Sequence, residues 1–380
     1  MSKFLEDMIY HRTLSCGTIQ VIQNGGEVQL DALFDIAERR NPKRAFLFVS
    51  KVLGKHIPVQ PSVMRQTYRQ IANQFPSSVT GPVLFIGMAE TAVGLGAGVF
   101  DEVRRQYSES VYLTSTRHPV DGTLLCEFKE EHSHATDHLI YLPNDNVKKH
   151  RVIEARTLVL IDDEATTGNT FINLLSALWD TGKLQNVEQV IAVTLTDWSN
   201  NALSVRSGLP VSSVSLVSGK WGWTPLPNAP VPDMPKVNVT SHGAWEIKGK
   251  QSWGRLGMLT PASDLGHEVS IHKRERILVL GTGEFVWEPF LLAERLEAAG
   301  AQTFFGSTTR SPIAVGYAIE SAISFMDNYG LGIPNFLYNV AHQQFDRILL
   351  CTETPAESID SQLLEALADV APVVEIVTYE

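Results

Sequence analysis

Apolar residues along this chain recur in two rhythms. From residue 83 to 195, short apolar runs alternate with stretches of helical period: 83–87 (VLFIG), 111–116 (VYLTST), 139–142 (LIYL), 157–162 (TLVLID) and 190–195 (VIAVTL) read as strands, 91–105 and 169–181 as helices. Strands of nearly continuous apolar character, separated by helices, predict a doubly wound parallel sheet. A second unit repeats the rhythm from residue 276. Strands are expected at 277–281, 302–308, 347–353 and 373–378, and helices at 286–299, 313–326 and 359–369. The first 75 residues are less regular, with strands expected at 15–23 and 45–49 and helices at 30–39 and 63–75.

Between the units the rhythm breaks. Residues 219–254 concentrate proline, glycine and the tryptophans Trp221, Trp223, Trp245 and Trp253, which suggests a linker or a strap packed on the protein. The resulting expectation is a first domain over 1–218, a strap over 219–254 and a second domain over 255–380.

Ligands of such sheets bind beyond the carboxyl ends of the strands, which directs attention to particular turns. The strand at 157–162 ends in two carboxylates, Asp162 and Asp163. Small and hydroxyl residues follow, Ala165, Thr166, Thr167 and Gly168, and a helix begins at once with Asn169 and Thr170. Free N–H groups at a helix start attract anions, and paired carboxylates suit a neighbouring diol; a sugar phosphate offers both. A plain turn with an exposed Asp pair and a Thr cap has the same composition.

This register resembles the phosphoribosyl-diphosphate (PRPP) motif of orotate-type, type I phosphoribosyltransferases. The resemblance implies that Asp162 and Asp163 meet the ribose hydroxyls and that Ala165, Thr166, Thr167, Gly168, Asn169 and Thr170 cradle the 5′-phosphate. It further implies that the turn Gly87, Met88, Ala89, Glu90 and Thr91 holds the diphosphate through backbone amides, unless it is an ordinary strand-to-helix turn. Glu90 departs from that use, because an acid beside a diphosphate repels it unless Mg²⁺ or a basic side chain intervenes. The connection over 115–138 is too long for a simple turn and reads as a lid, in the interval where type I enzymes carry a catalytic loop. In it Arg117 is placed to meet the diphosphate, and Lys129, Glu131, His132, Ser133 and His134 to close on the reacting centre; a solvated ribbon without chemistry, or a metal cluster of His132, His134 and His138, are the other readings. Trp198, at the end of the 190–195 strand, is a candidate to stack on the acceptor or to be core.

In the second unit, Gly281, Thr282, Gly283 and Glu284 lack the spacing of a dinucleotide fingerprint. Thr309, Arg310, Ser311 and Pro312 look like a helix start with an Arg beside its N–H groups, so Thr282, Gly283, Thr309, Arg310 and Ser311 form a second candidate anion site. The same four residues, following a transferase-like domain, resemble the TRSP family, which is found with tellurium-resistance and stress-response gene clusters. The expected architecture is therefore α/β: a type I phosphoribosyltransferase-like sheet domain and a second Rossmann-like domain. Its expected role is Mg²⁺-dependent transfer of 5-phosphoribosyl from PRPP to a small, nucleobase-like acceptor, with a non-catalytic PRPP sensor as the alternative.

Composition narrows this further. A net charge of −11 argues against nucleic-acid or anionic-membrane surfaces. The glycine-rich span 81–100 contains Glu90 and reads as strand, loop and helix rather than a membrane segment. Cys16, Cys126 and Cys351 show no metal spacing and fit a reduced, cytoplasmic protein, and the N-terminus lacks an apolar signal core. A homodimer is compatible with all of this.

Overall fold

The computed structural model describes residues 8–26, 28–39, 44–107, 109–129, 137–227, 229, 243–245, 247 and 254–379. The chain opens with a hairpin, β1 (Met8–Leu14) and β2 (Gly17–Gly25). Ile19 and Val21 point inward and their neighbours outward along β2, the period of a strand with one covered face. A helix was expected over 30–39, but only Leu30–Leu33 (α1) is helical. The chain then extends as β3 (Phe34–Glu38), antiparallel to β4 (Phe46–Ser50). Leu30, Leu33, Phe34 and Ala37 fit a helical period, yet Phe34 and Ile36 also fit a period of two. Cross-strand packing decides between them, with the Phe34 and Phe48 rings 4.8 Å apart, edge to face.

After α2 (Pro61–Ala72), which starts on proline, the first parallel sheet is built. Its elements are β5 (Val83–Gly87), α3 (Val93–Val103), β6 (Ser110–Thr114), β7 (Thr123–Lys129), β8 (Asp137–Leu142), α4 (Asn146–Ile153), β9 (Thr157–Ile161), β10 (Glu164–Ala165), α5 (Asn169–Asp180), β11 (Gln189–Asp197), α6 (Ala202–Arg206) and β12 (Val211–Pro225). The strand order is β1-β2-β12-β11-β9-β5-β6, with β10 beside β11. Every residue of β5, β6 and β9 is buried, as strands covered on both faces require.

Two expectations are corrected here. The 139–142 run is not a member of the parallel sheet: β8 pairs antiparallel with β7 as a separate ribbon, and the Asn173 side chain of α5 donates to the Lys129 carbonyl at 2.9 Å. The 190–195 run is not the last strand either. β12 lies parallel to β11 as far as Ser218, shifts register at Ser218/Gly219, and continues antiparallel to β2. A Cβ at Gly219 would lie 2.1 Å from the Ile22 carbonyl oxygen, so the crossing of partners needs glycine. The first residues of the expected strap are thus strand, and Trp221 and Trp223 pack on Phe46, each at 5.0 Å between ring centroids. Trp253 lies outside the described residues.

The second unit contains β13 (Arg276–Gly281), α7 (Trp287–Ala298), β14 (Gln302–Ser307), β15 (Ala322–Met326), β16 (Pro334–Tyr338), β17 (Arg347–Thr352), α8 (Ser361–Ala368) and β18 (Val373–Thr378). Its sheet, β14-β13-β17-β18, is wholly parallel. The helix expected over 313–326 does not form. Gly316 and Tyr317 have φ of 129° and 58°, and residues 322–326 alternate exposed and buried as strand β15 of an antiparallel pair with β16.

One apolar core runs through both units, with Tyr68 of α2 meeting Phe290 of α7 at 5.6 Å. Residues 51–60 run beside β14: Val59 and Phe305 exchange backbone hydrogen bonds, and the Ser307 N–H donates to the Gly54 carbonyl. This packing turns the carboxyl ends of β5 and β6 toward those of β13, β14 and β17. Among the described residues no helix is long and apolar enough to cross a membrane.

Candidate active site between the two sheets

β9 leads into Asp162 and Asp163, both half-buried. The Asp162 N–H donates to the Val193 carbonyl, the Asp163 N–H donates to Asp162 Oδ1 at 2.9 Å, and the Asp163 carbonyl accepts from Leu195 and Thr196. The acid pair is therefore fixed by the neighbouring strand β11. Gly168, at φ 72°, turns the chain into α5, and as the residue before the helix it supplies no side-chain cap. Ala165 is buried, Thr166 and Thr170 are half-buried and Thr167 is exposed, its hydroxyl facing the Asn169 N–H at 3.4 Å. Asn169 accepts from Arg206, and Glu164 pairs with Arg44 at 2.8 Å.

β5 and β9 are hydrogen-bonded neighbours, so the next turn lies alongside. The Met88 N–H donates to the Ile161 carbonyl, the Ala89 N–H to Ser115 Oγ, and the Ser115 N–H to the Gly87 carbonyl, each at 2.9 Å. A Cβ at Gly87 would meet the Tyr112 hydroxyl at 2.4 Å, so this close approach requires glycine. The Ala89–Glu90 peptide is cis, and α3 begins two residues beyond Thr91. Glu90, with 9% of its side chain exposed, lies 2.7 Å from Lys55, 3.3 Å from Arg310 and 3.7 Å from Arg117. Burial alone would raise its pKa; Lys55, Arg310 and Arg117 together outweigh it and hold the carboxyl far below the usual range.

Arg310 does not stand at a helix N-terminus, since no helix follows Ser311 and Pro312. It reaches instead into the crevice of the first sheet. Lys55 ties the same junction by donating to the carbonyls of Gly283 at 3.0 Å and Thr308 at 2.8 Å, while the Gly283 N–H donates to Thr308 Oγ1. Thr282 donates to the Cys351 carbonyl, and Thr309 Oγ1 accepts from the Ser311 N–H. Arg310 and, through Lys55, the Gly283 carbonyl thus share one junction with the 87–91 turn.

Behind it lies a second buried cluster. Arg255 donates to both oxygens of Glu353 (2.7 and 2.8 Å), to Glu284 (3.2 Å) and to Thr116 (3.1 Å); Glu284 also accepts from the Arg117 N–H and the Thr116 hydroxyl. Tyr329 donates to Glu353 at 2.7 Å and stacks on His118 at 3.8 Å. Burial pushes the Glu288 carboxyl well above the usual range.

Other candidates fall differently. Trp198, a candidate acceptor platform, is buried and stacks on Phe48 at 5.3 Å. Lys129 closes β7, while Glu131, His132, Ser133 and His134 lie outside the described residues. His138 meets Ser115 Oγ at 3.0 Å and stacks on Phe128, a core placement. Lys55, Arg255 and Glu353 carried no sequence signal, because their partners are remote in the chain and no motif surrounds them.

The buried histidines make the fold acid-sensitive. Burial lowers His118 to about 4, with Arg255 and Arg310 reinforcing and Glu284 opposing; burial also lowers His56 to about 3. Unfolded histidines bind protons near pH 6.5, so the unfolded chain gains protons first as pH falls. Stability is complete above about pH 6.5 and is lost on the way to pH 4, by roughly 3 kcal/mol for His118 alone. Glu284, held near 2 against its burial chiefly by His118 and Arg255, adds a further loss from about pH 4.5 downward. Urea unfolding across pH 7.5 to 4.5 should show this slope, and His118→Gln should flatten it; an unchanged slope would remove His118 from the explanation.

Residues 33–220 match the family model described as phosphoribosyl transferase, and residues 255–369 match the TRSP domain described as C-terminal to that transferase. No curated protein matches the sequence. Among solved structures the chain is similar to adenine phosphoribosyltransferase from Thermoanaerobacter pseudethanolicus (15% identity, 49% of this chain and 95% of that one, TM-score 0.33). It is also similar to the Trypanosoma brucei adenine enzyme solved with AMP, pyrophosphate and ribose-5-phosphate (12%, 52% and 82%, TM-score 0.35). A third is orotate phosphoribosyltransferase from Aeropyrum pernix (17%, 45% and 79%, TM-score 0.26). On the two family matches, which follow one another along the chain in the order of the two sheets, the protein belongs to the phosphoribosyltransferases that carry a C-terminal TRSP domain.

Proposed function

We propose that this transferase takes 5-phosphoribosyl from PRPP and passes it to a small, nucleobase-like acceptor. The observation that carries the reading is the adjacency of β5 and β9, which sets the fixed acid pair and the start of α5 beside the Gly87–Thr91 turn. Asp162 and Asp163 hold the ribose hydroxyls, the backbone over 166–170 takes the 5′-phosphate, and the turn faces the diphosphate. As the bond to diphosphate breaks, positive charge develops at the sugar carbon. The protein's contribution is to hold both ends in line and to keep water out, the latter assigned to the β7–β8 ribbon beside α5.

Mg²⁺ fits the donors present. Among the described residues no three-ligand metal cluster exists, and two half-buried carboxylates suit a cation held mainly by substrate oxygens and water. Asp162 and Asp163 would lie on its protein side, and the cation would screen the charge of the leaving diphosphate. On the buried free cysteines and the acidic balance we place the protein in the cytoplasm, without nucleic-acid partners. The resemblance to TRSP proteins adds the proposal of a role in a tellurium-resistance or stress-linked pathway; a homodimer also belongs to the proposal.

One observation favours a second reading, a PRPP sensor without turnover: Glu90 neutralises cations beside the turn from within. Incubation with PRPP and Mg²⁺, following diphosphate release with and without cell extract, separates the readings. Release that depends on extract supports transfer to an acceptor. Release without it indicates hydrolysis, and binding without release under both conditions indicates a sensor.

A further inference from the structure

We propose that Lys55, Arg117 and Arg310 are the diphosphate-binding cations of this site, and that Glu90 is a built-in anion that occupies them until diphosphate displaces it. The proposal rests on the transferase reading above and adds to it a residue from the second sheet and a competitor within the chain.

The three cations come from separate parts of the chain: Lys55 from the 51–60 segment, Arg117 from beyond β6, and Arg310 from beyond β14. All converge on one carboxylate in the turn between β5 and α3, at 2.7, 3.7 and 3.3 Å respectively. Nothing in the local sequence favours such convergence. Among the described residues Lys55, Arg117 and Arg310 all face the one carboxylate of Glu90, while Glu284 and Glu353 are taken up by Arg255, Thr116 and Tyr329. This gathering of positive charge sits within a chain of net charge −11. Gathering three buried cations on one carboxylate costs stability, and the arrangement suits an anion that arrives later.

Donor capacity is also left over. Arg117 Nε is buried without a hydrogen-bond partner. Burial lowers the pKa of both Lys55 and Arg310, with Arg117 adding to the effect, although Glu90 opposes it. A single carboxylate offers two oxygens to three cationic groups; a diphosphate offers more oxygens, more charge and a longer span. Glu90 and diphosphate are therefore alternative occupants of one cationic triad. Because Arg310 belongs to the second unit, occupancy of the triad also couples the two sheets. That gives the face-to-face packing of their carboxyl ends a chemical use.

The test uses the full chain and inorganic diphosphate, with inorganic phosphate for comparison, by titration calorimetry and thermal unfolding. Glu90→Gln leaves the cations unbalanced. Its free form should melt lower than the parent, diphosphate should raise its midpoint by more than it raises the parent's, and diphosphate should bind roughly tenfold or more tighter. Arg310→Ala should weaken diphosphate by roughly tenfold or more, the loss of one charge-assisted contact, and Arg310→Lys should restore part of it. Should Arg310→Ala fail to fold, Arg310→Lys and Glu90→Gln decide by the same two readouts. In Mg²⁺-free buffer the Asp162→Asn/Asp163→Asn variant should bind diphosphate as the parent does, while with Mg²⁺ it loses PRPP, so failure of the ribose assignment would show in PRPP binding alone. If Glu90→Gln binds diphosphate no tighter than the parent and gains no larger thermal shift, the cluster is a static clasp between the units and the proposal is overturned.

Discussion

Arg255→Met should lower the stability of the protein by about 3–5 kcal/mol, the cost of stripping one partner from a buried ion pair. Arg255 is 1% exposed and holds two carboxylates of the second unit, Glu353 through both its oxygens and Glu284 through one. Burial disfavours its charge, yet Glu353 and Glu284 more than compensate and keep it protonated. Without the guanidinium both carboxylates would stay buried without the cation that pairs them, and Thr116 of the first unit would lose one of its two hydrogen bonds to the second. Methionine keeps much of the volume, so the loss would report charge rather than a cavity. Replacing Glu353 by Leu in the same chain should recover part of it, since an apolar pair can substitute for an ionic one. Urea unfolding of the three proteins checks this, and a loss below about 1 kcal/mol for Arg255→Met would mean that the network contributes little.

Asp162→Asn/Asp163→Asn should cost roughly 1.5–3 kcal/mol of PRPP binding per residue, about tenfold to a hundredfold each. The fold should be spared, because asparagine at position 162 still offers an oxygen to the Asp163 N–H, and both side chains are half-exposed at a strand end. Thermal unfolding close to the parent's, with PRPP affinity strongly reduced, is the expected pair of results. Undiminished affinity would show that the acids at the end of β9 do not face the ribose.

The parallel cores were legible because their strands are buried on both faces and leave unbroken apolar runs; TLVLI over Thr157–Ile161 is the clearest case. The acid pair and the small residues after it were legible for the same reason, being the first polar positions after such a run. Short strands were harder to read. In Phe34–Glu38 and Ala322–Met326 the apolar residues fit helical and extended periods alike, and only their partners, β4 and β16, settle the choice. β12 escaped because it changes partner and direction of pairing at a glycine midway along its length. Arg310 was recognised as chemically placed, but its surroundings were not, because the sheet that receives it lies some two hundred residues away in sequence. Lys55 and Arg255 were invisible for that reason alone: a buried ion pair leaves no periodic trace when its partners belong to different elements.

The most direct measurement is a crystal structure of the full chain grown with PRPP and Mg²⁺. The expected result places the 5′-phosphate against the backbone of 166–170, the ribose on Asp162 and Asp163, and the diphosphate beside the Gly87–Thr91 turn. PRPP seated away from the carboxyl ends of β5 and β9, with Asp162 and Asp163 untouched, would contradict it.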